Sequence, residues 1–251
     1  MKLLIIRHAE PDYAVDGLTK KGHFEAELLS RRLVRVPDVT AIYQSPLGRA
    51  QLTASYTLKK LGRTAETLPW LAEFRGHAFD AMAGRERISW DYRREQWADR
   101  PELYLHDEWA DDPMFAGSNV KQIWQETCDG VDALLARHGY VKDRLYWRCE
   151  DNRKDTLMLF CHFAVGTAVV AHLIGTSPMP MWHGLFAAPS AVTTVVTEER
   201  RKGEIQFRCA SFGDVSHLAM ADERWSTAGL FCECYDGRDS TAPIEWEQKE
   251  D

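Results

Sequence analysis

The stretch LLIIRHAE (residues 3–10) joins a short apolar segment directly to a group of charged and ring side chains. The apolar part is too short for a helix and is apolar on both sides, which is typical of a central strand of a parallel sheet. Arg7 and His8 follow where this strand is predicted to end. Sites in open parallel sheets form at the carboxyl ends of the strands, so the stretch predicts a fold class and one part of a site.

The rest of the chain continues this alternation of strands and helices. Ser45 and Pro46 are interpreted as an N-cap with proline at the first helical position. The predicted elements are a helix at about 19–36, a strand at 39–43, a helix from Ser45 to Gly62, a weak strand at 65–70, a strand at 156–161, a helix at 163–174, and a hairpin or neighbouring strands at 191–197 and 204–210. The order predicts an α/β fold, a three-layer α/β/α sandwich with a mostly parallel sheet.

The segment at about 76–150 differs from its surroundings because it contains five of the nine tryptophans. One amphipathic helix is predicted within it, at about 118–138. The basic residues of the segment, Arg85, Arg87, Arg93 and Arg94, are interpreted as a solvated helix face, which would bind a second acidic group if it were turned inward. We interpret the segment as a helical cap insertion over one end of the sheet. The alternative is a separate small domain, although no Pro/Gly/Ser-rich linker marks the borders of the segment. The predicted organisation is a single domain over 1–251, with a core at about 1–75 and 156–220, the cap at about 76–150, and a polar tail at about 223–251.

Composition excludes several classes of partner. Lys and Arg number 31 against 38 Asp and Glu, a net charge of −7 that argues against nucleic-acid binding. No apolar run approaches the roughly 20 residues of a membrane span, and the first residues do not resemble a signal peptide. The six cysteines are therefore expected to be reduced thiols in a cytoplasmic protein, with Cys232 and Cys234 as packed or surface thiols rather than metal ligands. A monomer or homodimer is expected.

Three motifs place nitrogen-rich side chains after predicted strands. Besides Arg7 and His8, they are SPLGRAQLTA at 45–54, which contains Arg49, and Cys161-His162-Phe163. A cation in the first turn of a helix is unfavourable, so Arg49 is better explained if an anion lies in front of it, with a solvated surface arginine as the alternative. His162 precedes a helix N-terminus, which also favours an anion. Two arginines and two histidines at one sheet edge suit a dianionic phosphoryl group, because Arg matches phosphate oxygens in bidentate fashion.

These motifs, in this order, resemble those of the larger branch of the histidine phosphatase superfamily, which is phosphoglycerate-mutase-like. The resemblance also includes Leu18-Thr19-Lys20-Lys21-Gly22, Leu71-Ala72-Glu73 and Ser216-His217-Leu218, and it covers roughly residues 1–75 and 156–220. Phe163 stands where the smaller, acid-phosphatase branch has aspartate, which argues against that branch.

The resemblance implies a role for each matched residue. His8 would attack phosphorus and become phosphohistidine, and Glu73 would protonate the leaving oxygen and then activate water, with Glu10 as the reserve acid. The implied catalytic set is His8, Glu73, His162, Arg7 and Arg49, and the implied substrate-binding set is Arg7, Arg49, His162 and Phe163. No metal ion and no cofactor is implied.

The expected function is that of a metal-independent phosphatase hydrolysing a small-molecule phosphate monoester through phosphohistidine. Pro11 and Ala14 occupy the places where mutases of the family tend to have Ser and Asn, which favours the hydrolase. Two alternatives stay open: a phosphoglycerate-mutase-type phosphoryl-transfer isomerase, and a catalytically silent phosphate-binding member.

Overall fold

The structure, a computed structural model, describes residues 1–144 and 146–230. Cys232, Cys234 and the predicted polar tail from residue 231 onward lie outside the described residues. Within the described part of the chain, no helix is both long enough and apolar enough to cross a membrane.

Strands and helices alternate along the described chain, as the sequence pattern predicts. In chain order they are β1 Lys2–Arg7, β2 Pro11–Asp12, β3 Gly17–Leu18, α1 Lys20–Leu33, β4 Val39–Gln44, α2 Gly48–Leu61, β5 Glu66–Thr67, β6 His77–Asp80, β7 Arg85–Ile88, α3 Val120–Arg137, β8 Val141–Asp143, β9 Tyr146–Arg148, β10 Thr156–Cys161, α4 Phe163–Ile174, α5 Met179–Gly184, β11 Val192–Arg201, β12 Glu204–Asp214 and α6 Ser216–Ala219.

The central sheet has eight strands in the order β5-β4-β10-β1-β11-β12-β9-β8. Strands β5, β4, β10 and β1 pair in parallel, whereas every pair from β1 to β8 is antiparallel. A tight turn joins β11 to β12, because Gly203 has a φ of 80° and closes a hairpin. Two strands joined by a hairpin must run antiparallel, and this accounts for one of the antiparallel pairs. The predicted α/β sandwich is confirmed, but its sheet is mixed rather than mostly parallel, with three parallel and four antiparallel pairs of described strands. The parallel half carries the predicted site residues.

The three layers follow from the alternation of side chains along β1. Leu3 and Ile5 join one buried cluster, with residues of α3 and α4, while Leu4 and Ile6 join a second cluster, with residues of α1 and α2. Successive strand residues point to opposite faces of a sheet, so an apolar run in a central strand must be covered on both sides. All six residues of β10 are buried in the same way.

The segment at 76–150 is less helical than the predicted helical cap. It contains the β6–β7 hairpin, several 3₁₀ turns between residues 94 and 115, helix α3, and the β8–β9 hairpin that extends the central sheet. Helix α3 confirms the helix predicted at 118–138. The predicted basic helix face is wrong: Arg87 lies in β7, where it is buried and pairs with Asp80 and Asp91.

Candidate active site

The predicted nitrogen-rich side chains follow three adjacent parallel strands. Arg7 and His8 lie at the end of β1, Arg49 lies in α2 after β4, and His162 follows β10. The exposed fractions of Arg7, His8 and His162 are 6%, 2% and 1%. The ring centroids of His8 and His162 are 5.1 Å apart. The structure therefore brings these groups together at the carboxyl end of the sheet.

The hydrogen bonds of His8 determine which ring nitrogen is free. Its Nδ1 lies 2.8 Å from the carbonyl oxygen of Ala9, and a carbonyl only accepts, so Nδ1 donates. In the neutral ring Nε2 then carries the lone pair. Burial lowers the pKa of His8 well below its usual value, and the charges of Arg7 and Arg49 lower it further. His8 is thus a neutral imidazole with Nε2 unprotonated, the form that a nucleophile requires.

Arg7 is fixed by main-chain carbonyl groups. Its Nη1 donates to Ala187 at 2.6 Å and its Nη2 donates to Ala228 at 3.1 Å. The main chain passes so close here that a Cβ on Gly229 would lie 2.6 Å from Nη2. The Nε of Arg7 is buried and has no hydrogen-bond partner among the described residues. This N–H is available to an anion that enters the site.

Arg49 pairs with Asp16, a residue that the sequence analysis missed. Nη1 of Arg49 donates to Oδ1 of Asp16 at 2.5 Å, and Oδ2 of Asp16 accepts from the N–H of Gly48 at 2.6 Å. The carboxylate of Asp16 at the N-terminus of α2 offsets the unfavourable cation in the first turn of that helix. The anion expected in front of Arg49 is therefore present in the chain itself. Nε of Arg49 is buried without a partner among the described residues.

Ser45 is not the N-cap that the sequence predicted. Helix α2 begins at Gly48 with Leu47 as its N-cap residue, and Ser45 lies before it. The Ser45 hydroxyl instead bonds Nε2 of His162 at 2.7 Å and accepts from the Leu47 N–H. Nδ1 of His162 is buried without a partner in the described chain. Burial lowers the pKa of His162 well below its usual value, as do the nearby positive groups.

Glu73 lies against the N-terminus of α4. Its Oε1 accepts from the N–H groups of Phe74, Ala164 and Val165, at 2.9, 3.1 and 3.1 Å. Burial raises the pKa of Glu73 despite these bonds and the charges of Arg49 and Arg7, which lower it. Such a carboxyl holds its proton at a higher pH than a solvated one.

Glu10, the reserve acid, is engaged elsewhere. Its Oε1 accepts from the Thr19 hydroxyl at 2.7 Å, and Thr19 is the N-cap of α1, where its side chain accepts from Gly22. A Cβ on Gly22 would lie 2.1 Å from the Glu10 carbonyl oxygen. The L-T-x-x-G motif thus fixes the close approach of α1 to the loop after β1.

Other residues that the sequence analysis did not assign hold the loops in place. Thr53 accepts from the Ala9 N–H at 3.0 Å and donates to the Arg49 carbonyl at 2.8 Å, which ties the loop after β1 to α2. Ser190 bonds Nε2 of His217 through its hydroxyl and donates its N–H to the His8 carbonyl. Thr53 belongs to the SPLGRAQLTA block and His217 to the Ser-His-Leu motif, whereas neither motif contains Ser190.

Aromatic rings and an exposed cation lie next to these buried groups. The ring centroids of Phe163 and Phe186 each lie 5.7 Å from Cζ of Arg7, and the ring of Trp225 lies tilted beside that of Phe186 with the centroids 5.8 Å apart. Arg75 is exposed, yet it lies close enough to His162 to help lower its pKa. Of these residues, only Phe163 was predicted from the sequence.

One protein-family model matches most of the chain. The family model described as histidine phosphatase superfamily (branch 1) matches residues 3–209. No curated protein matches the chain significantly.

Several solved structures share the fold. A phosphoserine phosphatase variant from Entamoeba histolytica, in complex with phosphoserine, has 18% identity and a TM-score of 0.55 over 86% of this chain and 98% of that chain. A mycobacterial glucosyl-3-phosphoglycerate phosphatase has 20% identity and a TM-score of 0.54 over 84% and 98%. Bacillus stearothermophilus YhfR has 21% identity and a TM-score of 0.55 over 86% and 98%. At these identities the similarity concerns the fold.

Proposed function

The chain belongs to branch 1 of the histidine phosphatase superfamily, and we propose that it is a phosphatase that hydrolyses a small-molecule phosphate monoester through a phosphohistidine at His8. The observation that carries the proposal is the state of His8. Its Nδ1 is held by the Ala9 carbonyl, and its free Nε2 lies in a buried site with two arginines. A neutral imidazole among fixed cations is suited to attack a dianion, because the cations offset the repulsion between lone pair and phosphoryl oxygens.

In the first step the Nε2 lone pair of His8 forms a bond to phosphorus. The bond from phosphorus to the ester oxygen breaks, its electron pair goes to that oxygen, and the Glu73 carboxyl donates its proton there. Nε of Arg7 and Nε of Arg49, both unpartnered in the described chain, donate to the equatorial oxygens.

His162 is proposed as a third donor to the phosphoryl group. The Ser45 hydroxyl can donate to Nε2 of His162, and this choice of tautomer puts the ring proton on Nδ1. Nδ1 is the atom that is buried without a partner in the described chain. A neutral His162 therefore still supplies an N–H, which a low pKa does not remove.

The second step returns the enzyme to its starting state. Water attacks phosphorus, the ionised Glu73 takes one of its protons, and the bond from phosphorus to Nε2 breaks with its electrons returning to His8. Inorganic phosphate leaves. The positive charge comes from Arg7 and Arg49, so the cycle is proposed to need no metal ion.

A rapid-quench experiment tests the assignment. Wild type mixed with a ³²P-labelled phosphate monoester should carry acid-labile, base-stable phosphate on His8, and His8→Ala should lose both this label and turnover. His23→Ala, at an exposed histidine of α1, is the matched control and should keep both. Full turnover in His8→Ala would overturn the proposal. Labelled phosphate that passes to a second hydroxyl of the product, rather than to water, would indicate the isomerase.

A further inference from the structure

A second cluster of histidine and cysteine side chains lies at the opposite end of α4 from the phosphoryl site. His172 is in the last turn of α4, ten residues after His162, or about 15 Å along a helix. Cys128 is on α3, and His106 follows the 3₁₀ turn at 101–104. Each offers one ligand atom, and the three atoms lie within 4.8 Å of one another.

The outer nitrogens of both histidines face carboxylates. Nε2 of His172 lies 2.8 Å from Oδ1 of Asp132, and Nδ1 of His106 lies 2.5 Å from Oδ1 of Asp107. An ionised carboxylate only accepts, so both outer nitrogens donate. Metal-bound histidines in proteins are usually oriented in this way, with a carboxylate on the nitrogen that does not bind the metal.

The inner nitrogens then face each other without a proton to share. Nε2 of His106 and Nδ1 of His172 are 2.9 Å apart. Two neutral imidazoles carry two N–H protons, and both are donated in hydrogen bonds to the carboxylates. The contact between the inner nitrogens therefore needs a third proton or a cation that both lone pairs bind. The Cys128 sulfur, buried in α3, is the third donor atom of the cluster.

The surroundings favour a cation. A cavity of about 140 Å³ adjoins the cluster, and the carboxylates of Asp107, Asp111, Asp129 and Asp132 line it against the ammonium groups of Lys121 and Lys142. Lys142 lies 3.7 Å from Asp132, on the outer side of the His172 ring, and so does not occupy the space between the inner nitrogens. The cavity has room for a water molecule as a further ligand.

We propose that His106, Cys128 and His172 bind a Zn²⁺ ion outside the catalytic centre. Two imidazoles and one thiolate are a donor set that Zn²⁺ accepts, with water in the fourth tetrahedral position. Zn–N bonds of about 2.0–2.1 Å require the inner nitrogens to separate to about 3.3 Å, a small movement for the partly exposed His106. The Cys128 thiol releases its proton to solvent as its sulfur binds the metal. The ion would hold α3, α4 and the loop after residues 101–104 together.

Cobalt substitution tests the ligands directly. The full chain carries Cys232→Ser and Cys234→Ser, so that these thiols contribute no signal, and it is titrated with Co²⁺ after removal of bound metal. One equivalent should produce tetrahedral visible bands and a thiolate-to-cobalt charge-transfer band, and one equivalent of Zn²⁺ should abolish them. Cys128→Ser should lose the charge-transfer band and His106→Ala should weaken binding, whereas Cys209→Ser, at a half-buried cysteine outside the cluster, should match its parent.

Thermal unfolding supplies a second readout. Zn²⁺ at about 100 times its Kd should raise the Tm of the parent by about 5–10 °C and that of Cys128→Ser much less. Far-ultraviolet circular dichroism checks that each variant is folded. His8→Ala should keep the cobalt spectrum, so failure of this proposal is distinguishable from failure of the proposed phosphatase. A charge-transfer band that persists in Cys128→Ser, or an equal rise of Tm in both proteins, would overturn the site.

Discussion

Replacement of Glu73 by glutamine tests the proton donor with little change of shape. The Gln carbonyl can accept the three N–H bonds that Oε1 of Glu73 accepts from Phe74, Ala164 and Val165. What the variant loses is the proton that burial holds on the carboxyl by raising its pKa. The substitution therefore isolates proton transfer from the architecture of the site.

The size of the effect depends on the leaving group. General acid catalysis typically contributes about 10²–10⁴-fold, or about 2.7–5.5 kcal/mol of barrier. An alkoxide leaving group is strongly basic and needs this proton in the transition state, whereas p-nitrophenolate is a far weaker base and needs it much less. Glu73→Gln should slow phosphorylation of His8 by about 10²–10⁴-fold with an alkyl phosphate and by less than about tenfold with p-nitrophenyl phosphate.

The assay is a single-turnover measurement of phosphoenzyme formation, because Glu73 also has a proposed part in the attack of water. Arg49→Ala is the comparison variant. It removes positive charge from the transferring phosphoryl group, which both substrates share, so it should slow both by similar factors of about 10²–10³. Equal slowing of both substrates by Glu73→Gln, or slowing of neither, would refute the assignment and make Glu10 the next residue to test.

Three further predictions concern the support of the site, stability and metals. Asp16→Ala should lower kcat/KM by about 10–100-fold with both substrates, because Arg49 loses the carboxylate that orients it. If the activation free energy of the double variant with Arg49→Ala rises by the sum of the increases in the two single variants, Asp16 does not act through Arg49. Burial raises the pKa of Glu25 to about 7, so between about pH 4.5 and pH 7 the folded protein retains a proton that the unfolded chain has released. Stability should therefore fall by up to about 3 kcal/mol between these pH values and level off above them, and urea unfolding of Glu25→Gln should lack this fall. Removal of metal with EDTA should leave the initial rate with p-nitrophenyl phosphate within about twofold at 25 °C, and a loss that Mg²⁺ restores would count against the proposed chemistry.

Much of the fold and part of the site follow from the local pattern of the sequence. Apolar runs such as residues 3–6 require cover on both faces, which is typical of parallel strands. Parallel pairing places the carboxyl ends of such strands at the same edge of the sheet. Arg7, His8 and His162 were therefore predictable as neighbours before any family resemblance was used. The sequence predicted the runs at 191–197 and 204–210 as a hairpin or neighbouring strands, and the structure shows that β11 and β12 form a hairpin.

The features that the sequence analysis did not predict depend on contacts between residues that are distant in the chain and have no local sequence pattern. Asp16 reaches Arg49 from a left-handed backbone position in a short loop, where φ is 46°. The cluster at positions 106, 128 and 172 exists because three separate elements pack together, and no spacing rule connects them. Arg87 was interpreted as a solvated helix residue because the sequence does not reveal its partners. The hairpin of β6 and β7 brings it next to Asp80 and Asp91.

The position of Glu73 explains how one carboxyl can serve both steps of the proposed cycle. The N–H groups of the first turn of α4, a usual place for a bound anion, are given to the Oε1 atom of this residue. They stabilise the ionised form that exists after the leaving group has taken the proton, while burial favours the protonated form that exists before. The two influences oppose each other, so the proton can leave in the first step and return in the second. Because Glu73 occupies the helix terminus, the proposed cycle assigns the charge of the phosphoryl group to Arg7, Arg49 and His162 instead.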